Sequence, residues 1–133
     1  MIIGNILLDH FLAPTGILLS PVITAGAIVI ILLNNRAFNS ILIQATIAFL
    51  LIGINDIGIK LYGGGIHDSE GQGFVNLFYI IDLIPCFFVL CIYVVKKTDA
   101  SILQKIISIS LFISLAVLHL NYFDWLGLGK SYI

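Results

Sequence analysis

The stretch FVNLFYIIDLIPCFFVLCIYVV, Phe74 to Val95, decides how this chain must be read. It matches the roughly 20 residues that a helix needs to cross the hydrocarbon core of a bilayer. Its only charge is Asp82. A water-soluble helix of this length would carry a polar face, and buried strands do not run so far. The stretch therefore reads as a transmembrane helix.

Working outward, apolar runs of similar length precede it at Phe11 to Leu33 and Ile41 to Ile59, and another follows at Ile102 to Tyr122. The expected fold is an all-α integral membrane protein. It is a four-transmembrane-helix bundle forming a single transmembrane domain over residues 1–133, with helices at about 11–33, 41–59, 74–95 and 102–122. Composition agrees, because 60% of the residues are hydrophobic and 10% charged, against about 45–50% and 25% in soluble domains. The lipid bilayer is thus the first expected partner. A net charge of −1 supplies no basic field, so nucleic acid is not an expected ligand. Cys86 and Cys91 lie inside an apolar run, away from any C-x-x-C or loop framework, and read as small apolar residues. The opening MIIGNILLDHFLAP lacks the basic residues and cleavage site of a secretory signal and is expected to be retained.

Small residues give the first run a packing face. Gly16, Ser20 and Thr24 recur every four residues, the spacing at which helices approach closely in lipid. Pro14 suits a helix start, whereas Pro21 lies within the run. The second run ends in Asn55, Asp56, Gly58 and Lys60, followed by LYGGGIHDSEGQG, Leu61 to Gly73, which is expected to form one Gly-rich loop.

Orientation follows from the basic residues of the short connections. Arg36, Lys96 and Lys97 mark two cytoplasmic hairpins, with Lys105 able to reach back towards the second. Both termini and the Gly-rich loop are then extracytoplasmic, N-out and C-out, in a multi-pass protein of the cell (inner) membrane. Tyr122 and Trp125 are expected to anchor the last helix at the interface.

In this topology the ionisable residues gather on the outer side: Asp9, His10, Asp56, Lys60, His67, Asp68, Glu70, His119 and Asp124. Asp82, eight residues into its run, would lie roughly 12 Å deeper at about 1.5 Å per residue. A charge at such depth costs on the order of 2.5–3.5 kcal/mol, so the side chain is expected to face the bundle, water or a partner. Tyr79, Asp82, Cys86 and Tyr93 share its helix face. Asp56 and Lys60, at i and i+4 with the acid first, are spaced for an ion pair. Asp82, His119, Asp56 and Lys60 form the candidate intramembrane polar site, with Asp82 and His119 expected around one interior cavity. His67, Asp68 and Glu70 form the candidate binding surface of the loop.

No catalytic motif is present, neither G-x-S-x-G nor a Cys/His pair at a common depth. The acids of DSEGQG follow the start of a calcium loop, but its twelfth position is Tyr79 rather than a bidentate Glu. No His or Cys spacing marks a transition-metal site, and no cofactor is named. The leading expectation is a non-catalytic accessory, complex-subunit or immunity-type protein whose extracytoplasmic polar loop binds a membrane or extracytoplasmic protein. The alternatives are an ion- or proton-coupled transport element, forming a homo-oligomer and using Asp82 and His119, and an outer-leaflet hydrolase using paired carboxylates.

Overall fold

The computed structural model describes residues 1–12, 15–33, 40–63 and 69–128. Among these residues there is no strand, and five helices follow one another: α1 (Ile2–Leu12), α2 (Thr15–Leu33), α3 (Ile41–Tyr62), α4 (Ser69–Lys96) and α5 (Ile102–Phe123). Three of them, α3, α4 and α5, are long and apolar enough to cross a membrane. Their outward faces expose large apolar side chains, among them Ile54, Phe88, Val95, Ile102 and Val117. Water penalises such a surface and lipid does not.

Two boundaries differ from the sequence reading. The run expected over 11–33 is divided between α1 and α2, with Pro14 outside the described residues. α1 escapes a hydropathy reading because it is short and carries Asn5 and Asp9, both buried on its inner face. The second difference concerns the Gly-rich segment. α3 runs on to Tyr62, and α4 already starts at Ser69, so Glu70, Gln72 and Gly73 are helical rather than parts of a loop. Gly in a helix interior costs about 1 kcal/mol relative to Ala. Here tertiary contacts outweigh that cost: Val75 packs on Ile59, and Gln72 and Asn76 both donate to Asp124.

Residue pairings set the directions. Asn55 meets Ser20, Phe112 meets Phe49, and Tyr79 meets His119. α2 and α4 thus run opposite to α3 and α5. α1 lies antiparallel to α2 and parallel to α3, with Ile6 against Gly58 and Asp9 against Gly63. The end of the bundle towards Lys96 is filled mainly by apolar groups, including Leu32, Ile41, Ala45, Leu90 and Val94. The other end, where α3 stops and α4 begins, holds most of the buried polar side chains.

At α5 the chain restarts cleanly. Ser101 accepts from the Gln104 amide, and the Gln104 side chain accepts from the Ser101 amide, a reciprocal capping box. The Lys105 ammonium donates to the Val95 carbonyl near the end of α4.

The face marked by Gly16, Ser20 and Thr24 is buried. A Cβ on Gly16 would lie 2.3 Å from the backbone of Leu8, whereas one on Gly26 meets nothing within 4 Å. Gly16→Ala is therefore expected to destabilise the protein by about 1–3 kcal/mol or more through overpacking. Gly26→Ala should leave stability unchanged or raise it by roughly 0.5–1 kcal/mol. Unfolding of the two variants in mild detergent makes the comparison, and equal effects would remove the α1–α2 contact.

Candidate functional site

Asp56 is the junction of the polar end. It lies on α3 one turn before Lys60, whose ammonium is 2.8 Å from Asp56 Oδ2. The same oxygen lies 2.7 Å from His119 Nε2 on α5. A carboxylate only accepts, so Nε2 carries the hydrogen and donates it. Lys60 is 0% exposed and also donates to the carbonyl of Phe123 at 3.0 Å. That carbonyl belongs to the last turn of α5, where main-chain acceptors lack helical partners and a cation is favourable. The spacing-based pair between Asp56 and Lys60 is present, and His119 joins it from a third position in the bundle.

Aromatic rings hold the imidazole. Tyr79 of α4 stacks on His119 with centroids 4.6 Å apart and planes 16° from parallel. Phe123 lies 4.9 Å away on its own helix, and Phe49 meets it edge-on at 6.0 Å. Gly53 gives the ring room on α3, since a Cβ there would sit 3.3 Å from Nδ1.

On the other side of α3, Asn55 ties the small-residue face of α2 to α1. Asn5 Nδ2 donates to Asn55 Oδ1 at 2.8 Å and to Thr24 Oγ1 at 3.3 Å, and Asn55 Nδ2 donates to Ser20 Oγ at 2.8 Å. Asn55 and Asp56 are neighbours in sequence and so point to different sectors of the helix. One gathers α1 and α2; the other gathers α5.

Asp82 occupies the middle of α4. Because that helix begins at Ser69 rather than near Phe74, Asp82 lies about 20 Å from its start instead of 12 Å, at about 1.5 Å per residue. With Asp56, Tyr79, Asn55 and Ser20 it lines an interior cavity of about 10 Å³, completed by Ile59, Val75 and Phe78. Such a volume suits one water-sized particle. Among the described residues, Asp56 Oδ1, Asp82 Oδ1 and Tyr79 Oη are buried without a hydrogen-bond partner.

The expected cavity shared by Asp82 and His119 is thus rearranged. Asp82 lines it, but the carboxylate that His119 meets is Asp56. The cause is helix register: one residue of rotation separates Asn55 from Asp56, and only packing against α5 selects which one His119 meets. Glu70 is exposed in the first turn of α4. His67 and Asp68 lie outside the described residues.

The chain after α5 closes the polar end. Gln72 donates to the Asp124 carbonyl and Asn76 to its carboxylate. Gly127, at φ +91°, presses on α3 where a Cβ would lie 2.1 Å from the Lys60 carbonyl oxygen. Asn5, Ser20, Asn55, Gln72 and Asn76 also belong to this end although sequence reasoning did not assign them to the site, and spacing places Tyr79 only on the Asp82 face. For Asn5 a signal existed, since Asn5 and Asp9 stand four apart on one face of an otherwise apolar helix.

No known protein family, curated protein or solved structure matches the chain. Its chemistry is read from the geometry above.

Breaking a buried ion pair by removing one partner costs about 3–5 kcal/mol, because the other charge is left uncompensated. Lys60→Met is expected to destabilise the protein by that amount in detergent unfolding. Adding Asp56→Asn should recover much of the loss. A double variant as unstable as the sum of its singles would show that the two side chains are not coupled.

Proposed function

We propose that the chain is a four-span protein of the cell (inner) membrane that takes up and releases a proton or small cation at its buried polar site, as the ion- or proton-coupled element of a transport process. One observation carries the reading. Two carboxylates from different helices and a tyrosine hydroxyl keep unpartnered oxygens, and all three residues line one water-sized space in the interior. Ionisable groups are expensive in a membrane and ordinarily mark ion paths or relays. A purely structural polar contact would pair these oxygens, since an unmade buried hydrogen bond costs about 1–3 kcal/mol.

Asp56, Lys60, His119 and Asp82 act together in this reading. Lys60 and His119 hold Oδ2 of Asp56, leaving Oδ1 without a partner on a residue that lines the cavity. Asp82 is the exchanging carboxyl, and His119 joins the site through its bond to Asp56. The hydrolase reading gains nothing from the same acids, because a cavity of about 10 Å³ admits no lipid or ester. The accessory reading draws support from exposed aromatics at the same end, Tyr62, Phe74, Tyr122 and Trp125. These serve equally as interfacial anchors.

In the proposed topology α2 to α5 cross, the end of α5 and the Gly-rich segment are extracytoplasmic, α1 starts within the bundle and ends on that same side, and Lys96, Lys97 and Lys105 are cytoplasmic. With Cys86 and Cys91 removed, Glu70→Cys should react with an impermeant maleimide in intact cells and Thr98→Cys should not. The opposite pattern reverses the orientation.

Reconstituted into liposomes, the wild-type chain is expected to dissipate an imposed pH gradient. Asp82→Asn and His119→Phe should fall to the leak of protein-free vesicles, and Asp99→Asn, an exposed residue, should match wild type. Vesicles of wild type as tight as protein-free ones would overturn the transport reading. A protein partner that copurifies in fixed ratio would then favour the accessory one.

A further inference from the structure

The cavity between α2, α3 and α4 is lined by oxygen-bearing side chains: the carboxylates of Asp56 and Asp82, the hydroxyls of Tyr79 and Ser20, and the amide of Asn55. Among the described residues that line it there is no histidine and no sulfur. Hard cations prefer such oxygen sets. Asp56, Asp82 and Tyr79 are 4%, 4% and 2% exposed, and each keeps an unpartnered oxygen. The site is built rather than left over from loose packing, because the other polar atoms around it are committed. Asn55 Nδ2 is fixed on Ser20, Asn55 Oδ1 receives Asn5, and Asp56 Oδ2 receives both Lys60 and His119.

Charge decides the valence of the occupant. Lys60 neutralises Asp56 across 2.8 Å. Among the described residues ionised Asp82 has no cation of its own: α2 contributes only hydroxyl groups and no titratable side chain, α3 contributes Asp56 with its Lys60, α5 contributes His119 bound to Asp56, and α4 itself adds Tyr79 and Cys86. One excess negative charge in a low-dielectric interior calls for one positive charge. A divalent ion would overshoot by one. A cavity of about 10 Å³ excludes any organic cation.

We propose that this cavity is a binding site for one small monovalent inorganic cation, with sodium as its probe, which exchanges with a proton on Asp82. The cation binds the Asp82 carboxylate as the carboxyl proton departs to water, so each exchange conserves charge one for one. This rests on the reading of the buried site as ion-exchanging and gives it a substrate class, cation against proton.

The test is thermal unfolding of the purified full-length protein in mild detergent, in sodium chloride against choline chloride at equal ionic strength. A ligand that binds only the folded state raises its stability with the logarithm of concentration. Sodium should raise the midpoint at alkaline pH where choline does not. Its apparent affinity should fall by about tenfold per pH unit once the carboxyl protonates, as for any ligand competing with one proton. Asp82→Asn should abolish the sodium shift, and Asp99→Asn should retain it. Tyr79→Phe, which removes only the hydroxyl, should weaken the affinity and guards against misfolding of the Asp82 variant.

A midpoint that responds equally to sodium and choline overturns the proposal, as does a sodium shift of full size in Asp82→Asn. If sodium has no specific effect while vesicles still show Asp82-dependent proton movement, the cation site falls and proton coupling stands. If the sodium shift is present and depends on Asp82 while vesicles stay proton-tight, the site stands and the transport reading falls.

Discussion

The burial of the Lys60 ammonium is the constraint on which the rest of the polar end depends. It has no access to solvent, and transfer of an ammonium out of water is tolerated only with close anionic and carbonyl partners. Asp56 supplies the first and Phe123 the second. Meeting both requires the last turn of α5 to lie against the last turns of α3. That requirement aligns His119 with the same carboxylate, and the turn after α5 then folds over Lys60 through Gly127. The register of α3 and α5 is thereby set by one side chain.

A second consequence is the division of the bundle along its length. Towards Lys96 the helices meet through Leu, Ile, Val and Ala, where dispersion contacts carry the packing. Towards the Gly-rich segment they meet through an amide ladder, an ion pair and an aromatic stack. In lipid the hydrophobic effect does not drive helices together, so small residues and interhelical hydrogen bonds take over that role. Ser20 and Thr24 serve both needs, being small enough for close approach and able to accept from Asn55 and Asn5. The result is a polar cluster whose members are fixed from several helices.

The same contacts restrain the lining of the cavity. Asp56 is oriented by two donors on a single oxygen, which fixes where its second oxygen points. Tyr79 is oriented by its stack on His119, which fixes its hydroxyl in the same way. Asp82 enters from the middle of the longest helix, far from either end. The lining of the cavity is thus assembled from groups restrained by their neighbours.

Much of this was legible from residue spacing. Hydropathy alone located α3, α5 and the end of α4 within a few residues, because an apolar run of about 20 residues has one stable solution in lipid. The Gly16, Ser20, Thr24 face and the Asp56–Lys60 pair follow from helix geometry, which is local and periodic. The start of α4 was not legible, since Gly71 and Gly73 argue for a loop and the contacts that hold that turn come from far along the chain, from Asp124 through Gln72 and Asn76 and from Ile59 through Val75. α1 was missed for a related reason: Asn5 and Asp9 make it look like a polar lead-in until α2 and α3 provide partners. The sequence by itself determined that the chain is helical, suited to lipid, and polar at one end, because these follow from composition and period. Only the tertiary structure decided that His119 binds Asp56, and that Asp82 shares a water-sized cavity with it. Those facts depend on the rotation and register of packed helices, and a single-residue rotation would substitute Asn55 for Asp56 without altering any periodic signal in the sequence.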